Sequence, residues 1–335
     1  MPVTLTVDGP RWRDHLRRVA AAHPGIVPVA KGNGYGFGLG RLARKAGWLG
    51  RDLLAVGTYD ELPEVLARFE GDVLVMSPWR PFLDAPSDPR IVHTVGRPDD
   101  LAALSGRDDR PRVVLEGLTS MRRHGFTEDQ LEQLDRGGVQ VEGLALHLPI
   151  GVDGTQEVHD WLSLGLDATV FVSHLSDAQL GELATRHPDT LLRPRIGTAL
   201  WLGDRGALTV TATVLDVHPV TRGQHAGYRQ RRAPRDGHVV VVAGGTAHGI
   251  GLEAPTPASS SRQRAVALAR GGLDAAGRAL SPYSVGGKQR WFLEPPHMQS
   301  SMLFLPASVT PPAVGDEVPI DVRFTTTYFD RIIVS

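Results

Sequence analysis

The chain has 335 residues, 41% of them hydrophobic and 22% charged, which is long enough for one (β/α) barrel and a second module. Its net charge is −1 and its charges are interspersed, so nucleic acid and membrane surfaces are poor candidates for a partner. Cysteine is absent, which excludes disulfides and thiolate chemistry, and no apolar run approaches a membrane span, so we expect a soluble, cytoplasmic protein.

Short β-rich runs alternate with helical stretches over the first two thirds of the chain. Residues 3–7 alternate with a period of two, and residues 11–22 have an apolar face at helical spacing. From residue 25 onward eight β-rich runs follow, at residues 25–32, 53–58, 72–77, 90–95, 112–117, 143–148, 169–176 and 190–197. Helical patterns, such as residues 58–69 and 176–187, separate most of these runs. Eight strands with crossovers predict a (β/α)8 TIM-type barrel, with active residues at the carboxyl ends of its strands.

The pattern changes after about Gly203, where strands and turn residues replace the helices. We therefore predict a barrel domain at residues 9–205 and a C-terminal β domain at residues 206–335, joined by the strand within residues 1–8. Residues 253–287 form an insert that begins rich in Pro and Ser, continues with a helical pattern and ends in Gly-Gly. This composition predicts a mobile loop.

Lysine is rare in this chain, and one lysine lies at a strand end. Only three of the 36 Lys and Arg residues are lysines, namely Lys31, Lys45 and Lys288. Lys31 opens the stretch KGNGYGFG after the first barrel run, where the glycines let the backbone pass close to a ligand. A Lys amine forms a Schiff base with carbonyls such as the aldehyde of pyridoxal phosphate, which Arg cannot do. The alternative interpretation is a Gly-rich turn with a solvated lysine.

Seven segments in order along the chain resemble the alanine racemases, which are fold-type III pyridoxal phosphate (PLP) enzymes with an N-terminal barrel and a C-terminal β domain. The segments are KGNGYGFG, TSMRRHGF, ALHLP, SHLSDA, LLRPRIGTALWLG, PHMQSSM and TTTYFDRI. The first of them is similar to the family's lysine signature. The other segments are less specific one by one, and their order carries the resemblance over nearly the whole chain.

The resemblance implies a role for each matched residue. Lys31 would carry the cofactor as an internal aldimine, and Arg123 would contact its phenolic oxygen and the substrate carboxylate. His147 would lie beside the ring, Arg195 would face the pyridine nitrogen, and Met298 would offer its backbone N–H to the substrate. The phosphate contacts implied are Tyr35, Ser176, Gly197, Thr198 and Tyr328.

Arg195 is the residue that favours racemisation. An Arg at the pyridine nitrogen keeps that nitrogen unprotonated, because two cations repel each other. The ring is then a weaker electron sink, so a carbanion is better returned by reprotonation at Cα than lost to transamination. Taken singly, Arg195 also fits a surface arginine and His147 a core histidine with its hydrogen bonds satisfied. Together the residues predict a PLP-dependent amino-acid racemase or epimerase.

The chain departs from the family pattern in the β domain. The family's second base is a Tyr in Gly-Tyr-Ala-Asp-Gly from the partner subunit, whereas this chain has GGTAHG, with Thr246 at the Tyr position and His248 at the Asp position. A Thr hydroxyl is a poor proton acceptor. His248 is therefore the candidate second base, although it equally fits a turn residue. Weaker candidates are Tyr283, His297 and Tyr228.

A second departure lies in the barrel. Where many family members have a carbamylated lysine, this chain has Glu116, which supplies a carboxylate without carbon dioxide.

Three functions follow from these matches and departures. The first is a racemase or epimerase acting on a small amino acid. The second is one-face PLP chemistry on an unusual amino acid, and the third is a non-catalytic PLP-binding role. The resemblance also implies a head-to-tail homodimer, and no metal site is expected. The sequence does not specify the substrate.

Overall fold

A (β/α)8 barrel forms the first part of the fold, as the sequence predicts. The computed structural model describes residues 2–165, 169–252 and 279–335. An N-terminal strand, β1 (Val3–Val7), precedes the barrel. The barrel strands are β2 (Val27–Pro28), β3 (Leu53–Val56), β4 (Asp72–Val75), β5 (Ile91–Val95), β6 (Arg112–Gly117), β7 (Gln140–His147), β8 (Thr169–Ser173) and β9 (Leu191–Ile196). The helices are α1 (Gly9–Ala22), α2 (Leu39–Trp48), α3 (Leu62–Leu66), α4 (Pro98–Ser105), α5 (Glu128–Glu132), α6 (Thr155–Ser163), α7 (Asp177–Arg186) and α8 (Thr198–Leu202).

The barrel strands are parallel and pair in the order β2-β9-β8-β7-β6-β5-β4-β3. The two ends of this order meet through a single bridge between Val29 and Ala55, and the Ala30 N–H donates to the Ala55 carbonyl at 2.8 Å. β2 is short because Pro28 has no N–H for the ladder. The seam between β2 and β3 is therefore held by few backbone hydrogen bonds.

The barrel interior is a packed core. Strands β2 to β8 and the residue after β2 contribute its buried side chains, which are Val27, Val29, Leu53, Ala55, Leu74, Val92, Val114, Ala145 and Phe171. Burying such side chains stabilises the fold by about 1.5–3 kcal/mol each. Because apolar side chains fill the middle of the barrel, a ligand has room only at the ends of the strands, where polar side chains can reach it.

Contacts divide the chain into two compact units, Met1–Trp12 with Asp204–Ser335 and Arg13–Gly203. We call the first the β unit and the second the barrel unit. The strands of the β unit after β1 are β10 (Leu208–Val220), β11 (His225–Ala226), β12 (Arg231–Arg232), β13 (Gly237–Ala243), β14 (Leu280–Val285), β15 (Lys288–Phe292), β16 (Ser300–Pro306), β17 (Glu317–Pro319) and β18 (Arg331–Val334). Its main sheet has the order β14-β15-β16-β13-β10-β1-β18, and β17 also pairs with β10. β1 is antiparallel to β10 and parallel to β18.

The end of the predicted loop at residues 253–287 is a strand instead. Residues 253–278 lie outside the described part of the chain, but Leu280–Val285 is β14 and pairs with β15. Tyr283 is fully buried, and Val285 pairs directly with Lys288 across Gly286 and Gly287. The Gly-Gly pair is therefore a two-residue hairpin turn, for which glycine supplies the positive φ, and the prediction of a loop is wrong over this part.

The helical predictions hold in position but not always in length. The pattern at residues 58–69 gives only a 3-10 turn at Tyr59–Glu61 followed by α3, whereas α7 fills nearly all of its predicted range. Within the described residues, no helix combines the length and the apolar character needed to cross a membrane.

Candidate active site at the carboxyl ends of the barrel strands

Four of the predicted site residues lie at the carboxyl ends of barrel strands. Lys31 follows β2, His147 ends β7, Arg195 is the next-to-last residue of β9, and Gly197 comes directly after β9. In a (β/α)8 barrel these ends meet on one face. β2 and β9 are neighbours, with Val27 opposite Arg195.

The loop after Lys31 has a backbone that its glycines make possible. Gly34 has φ +60°, and a Cβ there would lie 2.7 Å from the Leu39 nitrogen. Tyr35 also has a positive φ of 53°, yet its side chain is buried. A non-glycine residue in this region of φ stores strain that its surroundings must offset. The loop is thus built around a fixed position for Tyr35.

The Tyr35 ring packs against Gly197 at the start of α8. A Cβ on residue 197 would collide with the Tyr35 hydroxyl, so only glycine fits there. Burial, together with the negative charge of Glu61, raises the pKa of Tyr35 to about 12. Its hydroxyl is therefore protonated at neutral pH and lies beside the Gly197 backbone. Thr198 is exposed as the first residue of α8.

Lys31 lies in a cationic setting. Burial lowers the pKa of its amine, Arg123 and Arg195 lower it further, and Glu61 acts in the opposite direction. A lower pKa increases the fraction of uncharged amine, which is the nucleophilic form.

Arg195 is buried and keeps one donor unused. Its Nη2 donates to the Leu146 carbonyl at 3.0 Å, while its Nε is buried and has no hydrogen-bond partner among the described residues. Burial lowers the pKa of Arg195 to about 10, with Glu116 opposing this change and Arg123 adding to it. Arg195 thus stays cationic at neutral pH. A buried N–H without a partner costs about 1–3 kcal/mol, so its presence here requires an explanation.

Glu116 is the buried carboxylate of this cationic group. It lies on β6, is 3% exposed, and its Oε2 has no hydrogen-bond partner in the described part of the chain. Burial raises the pKa of Glu116 to about 6, although Arg195, Arg123 and Arg80 act to lower it. Among these cations Arg195 has the largest effect.

His147 is held as a neutral imidazole. Burial lowers its pKa to about 3, and Arg195, Arg123, His174 and Lys31 lower it too. Its Nδ1 lies 3.0 Å from the Ser173 hydroxyl, and the Thr119 hydroxyl donates to its backbone carbonyl at 2.6 Å. The ring of His174 packs edge-on at 5.1 Å.

Arg123 is exposed in the loop after β6, and this loop closes on itself. The Leu118 N–H donates to the Phe126 carbonyl at 2.7 Å, and the Phe126 N–H to the Glu116 carbonyl at 2.8 Å. The effects of Arg123 on the pKa values of Lys31, His147 and Glu116 place its charge near all three residues.

Ser176 lies at the start of a helix. It is the N-cap of α7, where its hydroxyl accepts from the Gln179 N–H at 3.4 Å and donates to the Gln179 side chain at 2.9 Å. Ser173, three residues earlier, is the serine that contacts His147. Ser173 therefore lies with the residues at the strand ends, and the phosphate contact of Ser176 stays a prediction.

In the β unit, the turn with Thr246 and His248 rests on the segment before β16. The Thr246 N–H donates to the His297 carbonyl at 2.9 Å, and the Ala247 N–H to the Met298 carbonyl at 3.0 Å. Thr246 and Met298 are exposed. Tyr328 is exposed as well, at 61%.

The His248 ring has partners on both nitrogens. Its Nδ1 accepts from the Gly245 N–H at 3.3 Å, and its Nε2 lies 3.2 Å from Asp330. The residue is 6% exposed. Such a ring anchors the turn, and it would have to give up the Gly245 N–H before accepting a proton at Nδ1.

His297 forms a second histidine–carboxylate pair beside this turn. Its Nε2 lies 2.6 Å from Glu294, whose buried carboxylate also accepts the N–H groups of Tyr228 and Arg229 at 3.0 Å each. Burial alone would raise the pKa of Glu294, but these hydrogen bonds outweigh it and the pKa is lowered. The exposed Tyr228 ring lies 4.5 Å from the His297 ring. By contrast, the Tyr283 hydroxyl is buried and donates to the Ala243 and Gly244 carbonyls.

Comparisons with known proteins agree with this geometry. The family profile "Alanine racemase, N-terminal domain" matches residues 7–164. The alanine racemase of Nitratidesulfovibrio vulgaris (strain Miyazaki F) is 30% identical over 267 residues, which cover 69% of this chain and 71% of that protein. This chain belongs to the alanine racemase family.

Solved structures share the fold over the whole length. Alanine racemase from Bartonella henselae, solved with covalently bound pyridoxal phosphate, superposes with a TM-score of 0.72 at 15% identity and covers 100% of both chains. Histidine racemase from Leuconostoc mesenteroides subsp. sake gives a TM-score of 0.66 at 16% identity, with 99% of this chain and 98% of that chain covered. Structures with the alanine racemase fold thus include racemases named for different amino acids.

Sequence reasoning missed four residues of the barrel site. Arg80 acts on Glu116, Ser173 and His174 contact His147, and Glu61 acts on Lys31. Ser173 is opposite His147 in the strand register, so strand pairing would have found it. Arg80 and His174 lie in loops and Glu61 lies in the 3-10 turn at Tyr59–Glu61, and periodicity does not predict the course of such segments.

Proposed function

We propose that this chain is a PLP-dependent amino-acid racemase or epimerase that carries its cofactor on Lys31. The observation that carries the proposal is the unused, buried Nε–H of Arg195 at the same strand ends as Lys31 and the neutral His147. The covalent pyridoxal phosphate of the Bartonella henselae relative supports the choice of cofactor.

The residues present fit the groups of pyridoxal phosphate. The Arg195 Nε–H suits a ring nitrogen that accepts a hydrogen bond, and this would satisfy the donor that has no partner. The Gly197 backbone, Thr198 and the Tyr35 hydroxyl would hold the phosphate. A neutral His147 can lie beside the ring without adding another positive charge. Tyr328 would add a phosphate contact.

The side chains divide the work of the reaction. When bound, the cofactor withdraws electrons from the substrate Cα and so weakens its C–H bond. Arg195 stays cationic and prevents protonation of the ring nitrogen, since two cations would repel each other. Arg123 binds the substrate carboxylate, together with the Met298 N–H. Lys31, with its lowered pKa, takes or returns the Cα proton on its own face.

Two histidines of the β unit are candidates for the group that transfers the Cα proton on the other face of the substrate. His248 lies in the turn that matches the family's catalytic turn, but both of its ring nitrogens have partners. His297 holds the same turn through its carbonyl, and its Nε2 is bound to a buried carboxylate. A carboxylate that accepts a ring N–H fixes the tautomer and orientation of a histidine, as a general acid or base requires.

A specific observation favours a second function, one-face PLP chemistry. Thr246 is exposed at the position of the family's second base, and a Thr hydroxyl does not serve as a base at neutral pH. If neither histidine acts on the substrate, Lys31 alone would exchange the Cα proton with retention. A non-catalytic PLP-binding role remains the third possibility.

The first experiment tests the cofactor. We expect purified protein to absorb visible light and borohydride to fix the cofactor on Lys31, as read by peptide mass spectrometry. Colourless protein after incubation with pyridoxal phosphate, or label on Lys45 or Lys288, would refute the assignment.

The second experiment tests the reaction. The protein is incubated in D₂O with a panel of amino acids that includes alanine and histidine, and both Cα deuterium and chirality are measured. Exchange with inversion supports the racemase, exchange with retention supports one-face chemistry, and no exchange supports a binding role. His248→Asn and His297→Asn are compared in the same assay, since the variant of the second base should lose inversion and keep exchange.

The same proposal includes a small amino acid as substrate, a cytoplasmic location and a head-to-tail homodimer.

A further inference from the structure

We infer that Glu61 is a positioning residue for Lys31, and this inference rests on the proposed role of Lys31. The Glu61 carboxylate joins the two loops at the barrel seam. Its Oε1 accepts the Gly32 N–H at 2.6 Å, and its Oε2 accepts the Gly57 N–H at 2.6 Å and the Thr58 N–H at 3.3 Å. Gly32 is adjacent to Lys31, whereas Gly57 and Thr58 follow β3.

The position of this carboxylate explains why the seam needs it. Among the described residues, the last backbone hydrogen bond across the seam between β2 and β3 runs from the Ala30 N–H to the Ala55 carbonyl, one residue before Lys31. Beyond that bond, the N–H groups of Gly32 and Gly57 point to Glu61. One side chain thus continues the link between the strands where the ladder has ended. The backbone of Lys31 is fixed from both sides.

Glu61 lies close to Lys31 without forming a direct ion pair with it. A Cβ on Gly57 would lie 3.1 Å from Glu61 Oε2 and 3.2 Å from the Lys31 Cβ, so a larger residue at position 57 would crowd both groups. The negative charge of Glu61 raises the pKa of Lys31, against the larger effects of burial and Arg123 and the smaller effect of Arg195. Glu61 therefore helps to fix the backbone at Lys31 and favours the protonated amine.

The substitution Glu61→Gln tests this role. The amide keeps one oxygen acceptor but places an NH₂ donor against a backbone N–H, and it removes the negative charge. Without this acceptor the two loops should open more often, so we expect about tenfold faster deuterium exchange at the Gly32 or Gly57 amide. We also expect the midpoint for acetylation of Lys31 to move to lower pH.

Both readouts use the full-length protein freed of bound carbonyl compounds by dialysis against hydroxylamine. Trace acetylation is followed over pH by mass spectrometry, with Lys45 and Lys288 as internal references. Glu61→Asp separates the two effects, because it keeps the charge but is one methylene too short to reach both loops. In Glu61→Asp the pH midpoint for Lys31 acetylation should stay closer to the wild-type value than in Glu61→Gln. Deuterium exchange at the Gly32 or Gly57 amide should still be faster than in wild type.

Glu64→Gln is the matched control. The Glu64 carboxylate also accepts a glycine N–H, from Gly40 at 2.9 Å, but it is not among the charges that act on Lys31. This variant should loosen the Gly40 amide and leave Lys31 unchanged. An unchanged Lys31 midpoint and unchanged Gly32 and Gly57 exchange in Glu61→Gln would overturn the inference. Because neither readout needs the cofactor, both remain decisive if the protein binds no pyridoxal phosphate.

Discussion

At the scale of single residues, the barrel site groups several charges around two buried side chains, Arg195 and Glu116. Arg195 and Glu116 each keep one buried polar atom without a hydrogen bond in the described part of the chain. Arg195 remains cationic in spite of burial, and Glu116 offsets part of the positive charge. Burying charged groups with unused hydrogen-bonding atoms is unfavourable for the free energy of the unliganded protein. A polar ligand that pairs with these atoms would offset that free energy.

Glu116 gives a prediction for stability against pH. Burial raises its pKa to about 6 against an ordinary value of 4.5. Between these pH values the folded chain holds a proton that the unfolded chain has released. The Glu116 contribution to the free energy of unfolding should therefore fall as pH rises through this window, by about 2 kcal/mol in total.

This fall is measured by denaturant unfolding of wild type and Glu116→Gln from pH 4 to pH 7. The Gln variant cannot ionise, so the difference between the two curves isolates residue 116. The difference should be constant above about pH 7. A difference that grows in favour of wild type as pH rises would mean that the ionised carboxylate is the favoured form in the fold.

At the scale of helices and strands, the sequence predicted which elements form better than where they end. The run at residues 53–58 gives β3 at Leu53–Val56, and the run at 169–176 gives β8 at Thr169–Ser173. In both cases the predicted run extends past the last ladder bond into the loop. Site residues lie on both sides of such an end, since Ser173 is the last residue of β8 and His174 follows it. Period-two alternation reports burial on a strand and carries no information on the turn that follows.

The barrel and the motif residues were accessible to sequence reasoning because both are local patterns. Lys31, His147 and Arg195 each follow or end an apolar run, which predicts a strand end. Arg80 and Glu61 were not accessible, since a loop and a 3-10 turn bring them to the site. The serines of SHLSDA show the same limit, because only the register of β8 reveals that Ser173 lies opposite His147.

Ser176 gives the prediction at this scale. As the N-cap of α7 it forms a capping box with Gln179, so Ser176→Ala should lower the free energy of unfolding by about 1 kcal/mol. Ser176→Gly should cost only a few tenths of a kcal/mol, because glycine is accepted at an N-cap. Denaturant unfolding measures both values. The dissociation constant for pyridoxal phosphate, followed by absorbance, should stay the same in both variants.

The opposite result would support the phosphate contact predicted for Ser176. A serine that binds the phosphate would weaken cofactor binding equally in the Ala and Gly variants, whatever their stability. Ser173→Ala is the companion variant, since this hydroxyl contacts His147.

At the scale of the whole molecule, the chain keeps a fold while its sequence has diverged. The Bartonella henselae and Leuconostoc mesenteroides relatives match nearly all of it at 15% and 16% identity. The fold is thus compatible with very different sequences, because apolar side chains of similar total volume can fill the same barrel. Subunit assembly is a separate question from the fold. The strand patterns of the sequence indicate how one chain folds, but they carry no information on whether a second chain contributes residues to its site.

Mixed dimers test the proposed assembly. In a head-to-tail dimer each site takes Lys31 from one chain and the β-unit histidine from the other. Lys31→Ala and the histidine variant that loses inversion, whether His248→Asn or His297→Asn, should each be inactive in racemisation alone. After the two are mixed and allowed to exchange subunits, about half of the dimers are mixed, and each of these has one intact site. Racemisation should therefore return to about a quarter of the wild-type rate.

The matched control mixes Lys31→Ala with Arg123→Ala. Both of these residues belong to the barrel unit, so every site in a mixed dimer lacks one of them and no activity should return. Subunit exchange itself is verified by native mass spectrometry of chains with different tags. If mixed dimers form and the Lys31 and histidine variants still fail to complement, each site takes both residues from the same chain. A monomer at all concentrations in analytical ultracentrifugation would exclude shared sites altogether, and the second proton-transfer group would then have to come from the chain that carries Lys31.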